Sequence, residues 1–274
     1  MRTPHAVRKT ALGAAAMALS FMVVPARAET PSTTFTFGGY VKLDVIGTSY
    51  DDGEVPSDSV LRDFHVPGFI PVGGDSTDTL DFHAKESRFS FGTVTDFGDG
   101  PDLESYVELD FLLSDNGDER VSNSYQPRLR HYYLEYGDWL FGQTWNTFMI
   151  VIFPDDLDFI GSPDGMIFGR QAMVRYTRGG WQFALENPDT TVTPNGGGSR
   201  IDSDTGIVPD AVGRYNWTGD WGKLSLAGML RRLDFEDSAM DLEDTTLGWG
   251  INFGGLINVG ERDDVRFQVS TGDG

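Results

Sequence analysis

RLRHYYLEYGDWLFGQTW (residues 128–145) consists of two aromatic-rich runs joined by Gly137-Asp138, and GRQAMVRYT (residues 169–177) resumes the same texture after an irregular acidic stretch. Aromatic runs of this length, broken by a two-residue turn containing glycine, read as a β-hairpin. The connection that follows, residues 147–167, has no periodicity of its own. Loops of about twenty residues are uncommon in compact domains and usually have a task, which in a membrane barrel can be to narrow the pore.

Period-two alternation extends the hairpin in both directions. Val41, Leu43 and Val45 oppose Tyr40, Lys42 and Asp44; Phe89 and Phe91 oppose Arg88 and Ser90; Val107, Leu109 and Phe111 oppose Glu108 and Asp110. Beyond the loop, Trp181, Phe183 and Leu185 oppose Gln182 and Glu186. Leu247, Trp249, Ile251 and Phe253 then oppose Thr246, Gly248 and Asn252, and Val265, Phe267 and Val269 oppose Arg266, Gln268 and Ser270. Eleven strands are expected, near residues 35–50, 80–94, 103–114, 127–136, 138–146, 168–178, 180–187, 211–218, 222–236, 244–257 and 263–272.

Their connections alternate in length. Residues 51–79, 114–126, 147–167 and 187–210 form long ones, whereas 95–102, 137–138 and 179 form short ones. Long and short ends therefore sort to opposite sides of the sheet, as in outer-membrane barrels with tight periplasmic turns and large outer loops. A soluble β-sandwich or up-and-down barrel gives no reason for every second loop to be long. The six tryptophans, Trp139, Trp145, Trp181, Trp217, Trp221 and Trp249, lie in or beside these strands, where aromatic girdles would sit. A general preference of aromatics for strands accounts for the same placement.

The N-terminus carries Arg2, Arg8 and Lys9, then the apolar run ALGAAAMALSFMVV (residues 11–24), then Ala26-Arg27-Ala28. This three-part pattern is a secretory signal, with cleavage after residue 28, and its apolar run is too short to span a bilayer. Loss of Arg2, Arg8, Lys9 and Arg27 moves the formal charge from −21 to −25. So acidic a chain does not suit nucleic acid, which calls for a basic face. With no cysteine among the 274 residues, disulfides and thiolate sites are excluded. No later segment is apolar for long enough to be a membrane helix, which leaves strands as the way across. The expected fold is all-β, an antiparallel transmembrane β-barrel occupying residues 29–274 as one domain.

With the apolar phase toward lipid, the inward cations are Lys42, Arg88, Arg175, Arg214, Arg231 and Arg266, against the inward acids Asp44, Glu108, Asp110 and Glu186. Guanidinium groups on a wet wall engage carboxylates and phosphates in forked hydrogen bonds, which favours small anionic solutes. Pairing with the inward acids, which would leave the lumen merely polar, is the alternative. In residues 128–136 neither parity is cleanly apolar, which a β-bulge or an interfacial position would explain. The loop mixes Asp155, Asp156 and Asp158 with Phe153, Phe159 and Ile160. Folding inward would bury its apolar groups and set its aspartates opposite the arginines, creating a transverse field across the opening. Acidic outer loops, such as Asp51, Asp52, Glu54, Asp115, Asp118 and Glu119, can hold divalent cations shared with lipopolysaccharide or be plain solvated surface.

Enzyme and cofactor signals are poor. His65, His83 and His131 show no metal-ligand spacing, and Gly74-Asp75-Ser76 lacks the strand-turn-helix setting of a serine nucleophile. Asp202-Ser203-Asp204-Thr205-Gly206 lacks the terminal glutamate of a calcium loop. No cofactor or metal is expected.

GGYVKLDVI (38–46), ESRFSFGT (86–93), RLRHYYLEYGDWLFGQTWNTF (128–148) and PDDLDFIGSPDGMIFGRQAMVRYT (154–177), in that order, resemble the DcaP-like outer-membrane porins and, more distantly, the general porins of Gram-negative bacteria. The resemblance is carried best by residues 35–185, above all by GQTW and RQAMVRYT. It implies a trimeric barrel of about sixteen strands in the bacterial outer membrane, with a loop folded into each pore and a lumen suited to dicarboxylate-like molecules. By position, Arg130, Arg170 and Arg175 resemble the family's basic residues at the constriction. Two departures accompany it. Only residues 29–34 precede the first strand, where some members carry a coiled coil. The chain also stops at residues 270–274 without a final aromatic, so about five C-terminal strands are expected to be missing and the chain alone is not expected to insert as a closed pore. Passive transport is the leading functional expectation; a secreted soluble β-sheet ligand-binding protein and a barrel-embedded hydrolase are the alternatives.

Overall fold

Each alternating run becomes a strand whose two phases meet different surroundings. The computed structural model describes residues 30–65, 69–113, 120–152, 167–192, 201–203, 206–237 and 242–274. The predicted signal, residues 1–28, lies outside them. In chain order the strands are β1 (Ser32–Tyr40), β2 (Asp44–Tyr50), β3 (Thr77–His83), β4 (Arg88–Asp96), β5 (Leu103–Asp110), β6 (Arg128–Tyr136), β7 (Trp139–Trp145), β8 (Arg170–Arg178), β9 (Trp181–Glu186), β10 (Thr190–Val192), β11 (Ile201–Ser203), β12 (Asp210–Gly219), β13 (Gly222–Asp237), β14 (Leu242–Val259) and β15 (Asp263–Asp273).

Eleven of them form one antiparallel sheet in the order β1-β4-β5-β6-β7-β8-β9-β12-β13-β14-β15. The sheet is open among the described residues, with β1 and β15 at its edges. Gly137 and Gly179 hold φ near +58° and +59° in the short turns, a left-handed conformation that glycine adopts without steric cost.

The first two expected strands prove to be two strands each. β1 and β4 pair in the main sheet while β2 and β3 pair as a separate hairpin. The break falls where the Ser87 hydroxyl accepts from Lys42 N (3.0 Å) and donates to Lys42 O (3.3 Å), in place of a ladder partner. Tyr50, Val55 and Leu61 bury a small core of their own beside this hairpin. β5 ends at Asp110, short of the expected residue 114, because Phe111 N turns aside to Lys85 O and Leu113 N to the Asp63 carboxylate. The small β10-β11 hairpin was not expected from the sequence.

One phase of the main sheet is apolar and exposed, including Phe37, Phe89, Leu134, Phe141, Phe183, Leu230, Leu247 and Val269. The opposite phase carries the charged groups and Leu140, Met173, Ala184, Val212 and Ala227, which form a buried cluster with Phe148 from the segment after β7. Such an inverted pattern suits a wall with hydrocarbon outside and a polar interior. Along β6 the pattern needs a bulge. Glu108 faces His131 and Leu109 faces Leu129, so Arg130 is the extra residue. Arg130 and His131 are both buried, while Leu129, Tyr132, Leu134 and Tyr136 are exposed.

Candidate functional site

The inner phase of β4, β5 and β6 concentrates charge. Glu108 and Asp110 alternate along β5, and the bulge in β6 brings Arg128 and Arg130 over them. Arg128 binds Asp110 through both carboxylate oxygens (Nε to Oδ1 2.8 Å, Nη2 to Oδ2 2.7 Å). Arg130 bridges Glu108 (Nε to Oε1, 2.7 Å) and Asp110 (Nη1 to Oδ2, 2.9 Å). Arg88 approaches Glu108 at 3.5 Å and lies over the Tyr40 ring. Lys42, further along, binds Asp44 (2.9 Å) and Glu86.

Arg170 opens β8 beside this group, within electrostatic reach of Arg128, Arg130, Glu108 and Asp110. Its guanidinium lies 3.9 Å from the Trp145 ring centre, a cation-π contact, and its Nε donates to His131 Nε2 at 3.4 Å. His131 is held on its other side by the Thr144 hydroxyl (2.9 Å). Arg170 has no carboxylate partner among the described residues, and its Nη2 is buried without a hydrogen bond there.

The second half of the sheet uses its polar side chains on the loop that leaves β7. Asn146 N bonds to Gly169 O and closes the base of this loop. Thr147, Phe148, Met149 and Ile150 then cross the inner face and are among the most buried residues of the chain, Thr147 and Met149 at 0% exposure. Thr147 N donates to Glu186 on β9 (2.7 Å), and Met149 O accepts from Arg214 on β12 (2.7 Å). Phe148 O accepts from Asn252 on β14 (2.9 Å), while Ile152 O accepts from Arg266 on β15 (3.3 Å). Arg175 on β8 reaches Trp145 O more weakly (3.4 Å), leaving its Nε without a described partner. Gly250 leaves room for the Phe148 ring, because a Cβ there would lie 2.8 Å from Phe148 Cζ.

Of residues 147–167, the described ones at the start, 147–152, lie against the inner face of β9, β12, β14 and β15. Asp155, Asp156 and Asp158, with Phe153, Phe159 and Ile160, lie outside the described residues. Arg231 sits apart, bound to Asp210 (3.2 Å) and to Asp189 O (2.5 Å) beside β10. It lines a cavity of about 740 Å³ together with Phe148, Ile167, Asp244 and Trp249. Arg266 also binds both Asp264 oxygens (2.7 and 2.9 Å).

Sequence reasoning missed Arg128, Gly250 and Asn252 as site residues. Asn252 carried a signal, being an amide on the inner phase of an otherwise glycine-rich and apolar strand, where a buried amide needs a backbone partner.

Comparison with known proteins agrees with this architecture. The fold matches the crystal structure of the outer membrane channel DcaP of Acinetobacter baumannii, with a TM-score of 0.64 and 22% sequence identity. The match covers 87% of this chain and 63% of that one. No curated protein sequence matches the chain. A family profile described as DcaP outer membrane protein matches residues 31–273. That match sets aside the soluble and hydrolase readings, and the chain belongs to the DcaP family of outer-membrane proteins.

Proposed function

We propose that this chain builds the wall and constriction of a passive outer-membrane pore for small hydrophilic anions, dicarboxylate-like in charge and size. One observation carries the reading. Three guanidiniums, Arg88, Arg128 and Arg130, share two carboxylates, Glu108 and Asp110, on the inner wall, and a fourth, Arg170, stands within electrostatic reach of them. The surplus is positive in a protein whose net charge is strongly negative, and a local field of this kind selects solutes regardless of the total. Residues 147–152 lie across β9, β12, β14 and β15; in this proposal the loop they begin narrows the pore, with Asp155, Asp156 and Asp158 supplying its opposing charge. Assembly as a homotrimer, and contact between the acidic outer loops and lipopolysaccharide through divalent cations, belong to the same proposal.

Reversal potentials of the full-length protein in a potassium chloride gradient test it. Wild type is expected to prefer chloride, and Arg170→Ala or Arg175→Ala to lower that preference. A cation-preferring wild type would refute the anion reading. An unchanged potential in both variants would reassign these two arginines to structure.

A further inference from the structure

We infer that the outer wall binds one glycerophospholipid of the periplasmic leaflet, its acyl chain in a groove over β9, β12 and β13 and its phosphate on Arg178. This rests on outer-membrane residence and not on the anion reading.

The groove exists because bulk is missing from one strip of an otherwise crowded face. Phe183 and Leu185 on β9, and Leu230 on β13, project outward and are exposed. Between them β12 offers only Ala211 and Gly213, and Gly213 lies directly opposite Gly228 of β13. Two depressions, of about 850 and 680 Å³, adjoin at this glycine pair. Apart from Arg214, their lining is aliphatic, aromatic and glycine, which suits a hydrocarbon chain.

The short-turn end of the groove supplies a headgroup site. Trp181, Tyr215 and Trp217 meet edge to face there, with centroids 4.6 and 4.7 Å apart, and such amphipathic rings mark the membrane interface. Arg178 pairs with Trp181 across the Gly179-Gly180 turn, on the same phase as Val174 and Tyr176, and is exposed. Tyr176 and Asp138 are the groups within electrostatic reach of it. A cation on a lipid-facing wall is costly in hydrocarbon and favourable beside a phosphate, which the guanidinium fork grips at two oxygens. Short turns face the periplasm, where the leaflet is phospholipid.

Titration of the delipidated protein with phosphatidylglycerol and with diacylglycerol, read by native mass spectrometry, tests the site. One phosphatidylglycerol per chain should bind, and diacylglycerol should bind more weakly. Arg178→Ala should weaken phosphatidylglycerol by about tenfold, the worth of one charge-assisted hydrogen bond. Gly213→Leu should abolish binding of both, since it fills the groove floor. Equal binding by wild type and Arg178→Ala would overturn the proposal, and that exposed substitution decides the matter even if Gly213→Leu fails to fold. A disulfide between two Gly228→Cys chains would also overturn it, by placing a second copy of the chain where the lipid is assigned.

Discussion

The two halves of the inner wall use the same residue type in opposite ways. On β4 to β6, arginines lie against carboxylates of neighbouring strands, so the wall neutralises much of its own charge. On β12 and β15, arginines reach the backbone carbonyls of Met149 and Ile152 and act as fasteners. What separates them is whether a chain segment lies above. Where a loop crosses, its exposed carbonyls need donors and the wall supplies them. Where no carbonyl of the described residues takes them, the donors turn to acids. An inward arginine in a barrel is thus not by itself a solute ligand.

The first way to break this contrast is Arg130→Ala. It leaves Glu108 and Asp110, both largely buried, with less compensation, and loss of a buried partner costs about 3–5 kcal/mol. Urea unfolding in detergent should show that loss, and the reversal potential should move toward cations. Stability equal to wild type would mean that the first half is not a self-neutralising unit.

Gly250→Leu attacks the second half. Phe148 loses its seat, overpacking costs about 1–3 kcal/mol, and single-channel conductance should rise as the loop lifts. Unchanged conductance would detach the loop from β14. Asn252→Ala removes one donor to Phe148 O and should cost about 1 kcal/mol, with increased open-channel noise and little change in selectivity. A selectivity change as large as that of Arg130→Ala would erase the distinction between the halves. Arg266→Ala should have the smallest effect, under about 1 kcal/mol, since its Asp264 pair is exposed and its bond to Ile152 O is long.

The strands were legible because alternation is a local property. Every strand of the main sheet overlaps an expected run, several running one to three residues past its ends, and Val41, Leu43 and Val45 are exposed as the phase requires. The division of labour was not legible, because Lys42, Arg88 and Arg214 look alike as inward cations. Their partners are set by chain crossings. Asn252 and Phe148 are 104 residues apart, and nothing local in either announces the other. β10 and β11 escaped for a different reason: three residues each are too few to display a period. Residues 128–136 did show their irregularity in advance, since a bulge leaves a mark in the parity itself.

That bulge has a consequence for how such walls change over time. An ordinary strand gives the interior every second residue, but β6 gives it Arg130 and His131 in succession, while the apolar phase continues unbroken on both sides. A chain lacking residue 130 would run from Leu129 to His131 in regular alternation. One codon gained or lost at this point therefore adds or subtracts a pore-side charge without rewriting the surface that meets the membrane, so a barrel of this kind can retune its interior by insertion and deletion as well as by substitution.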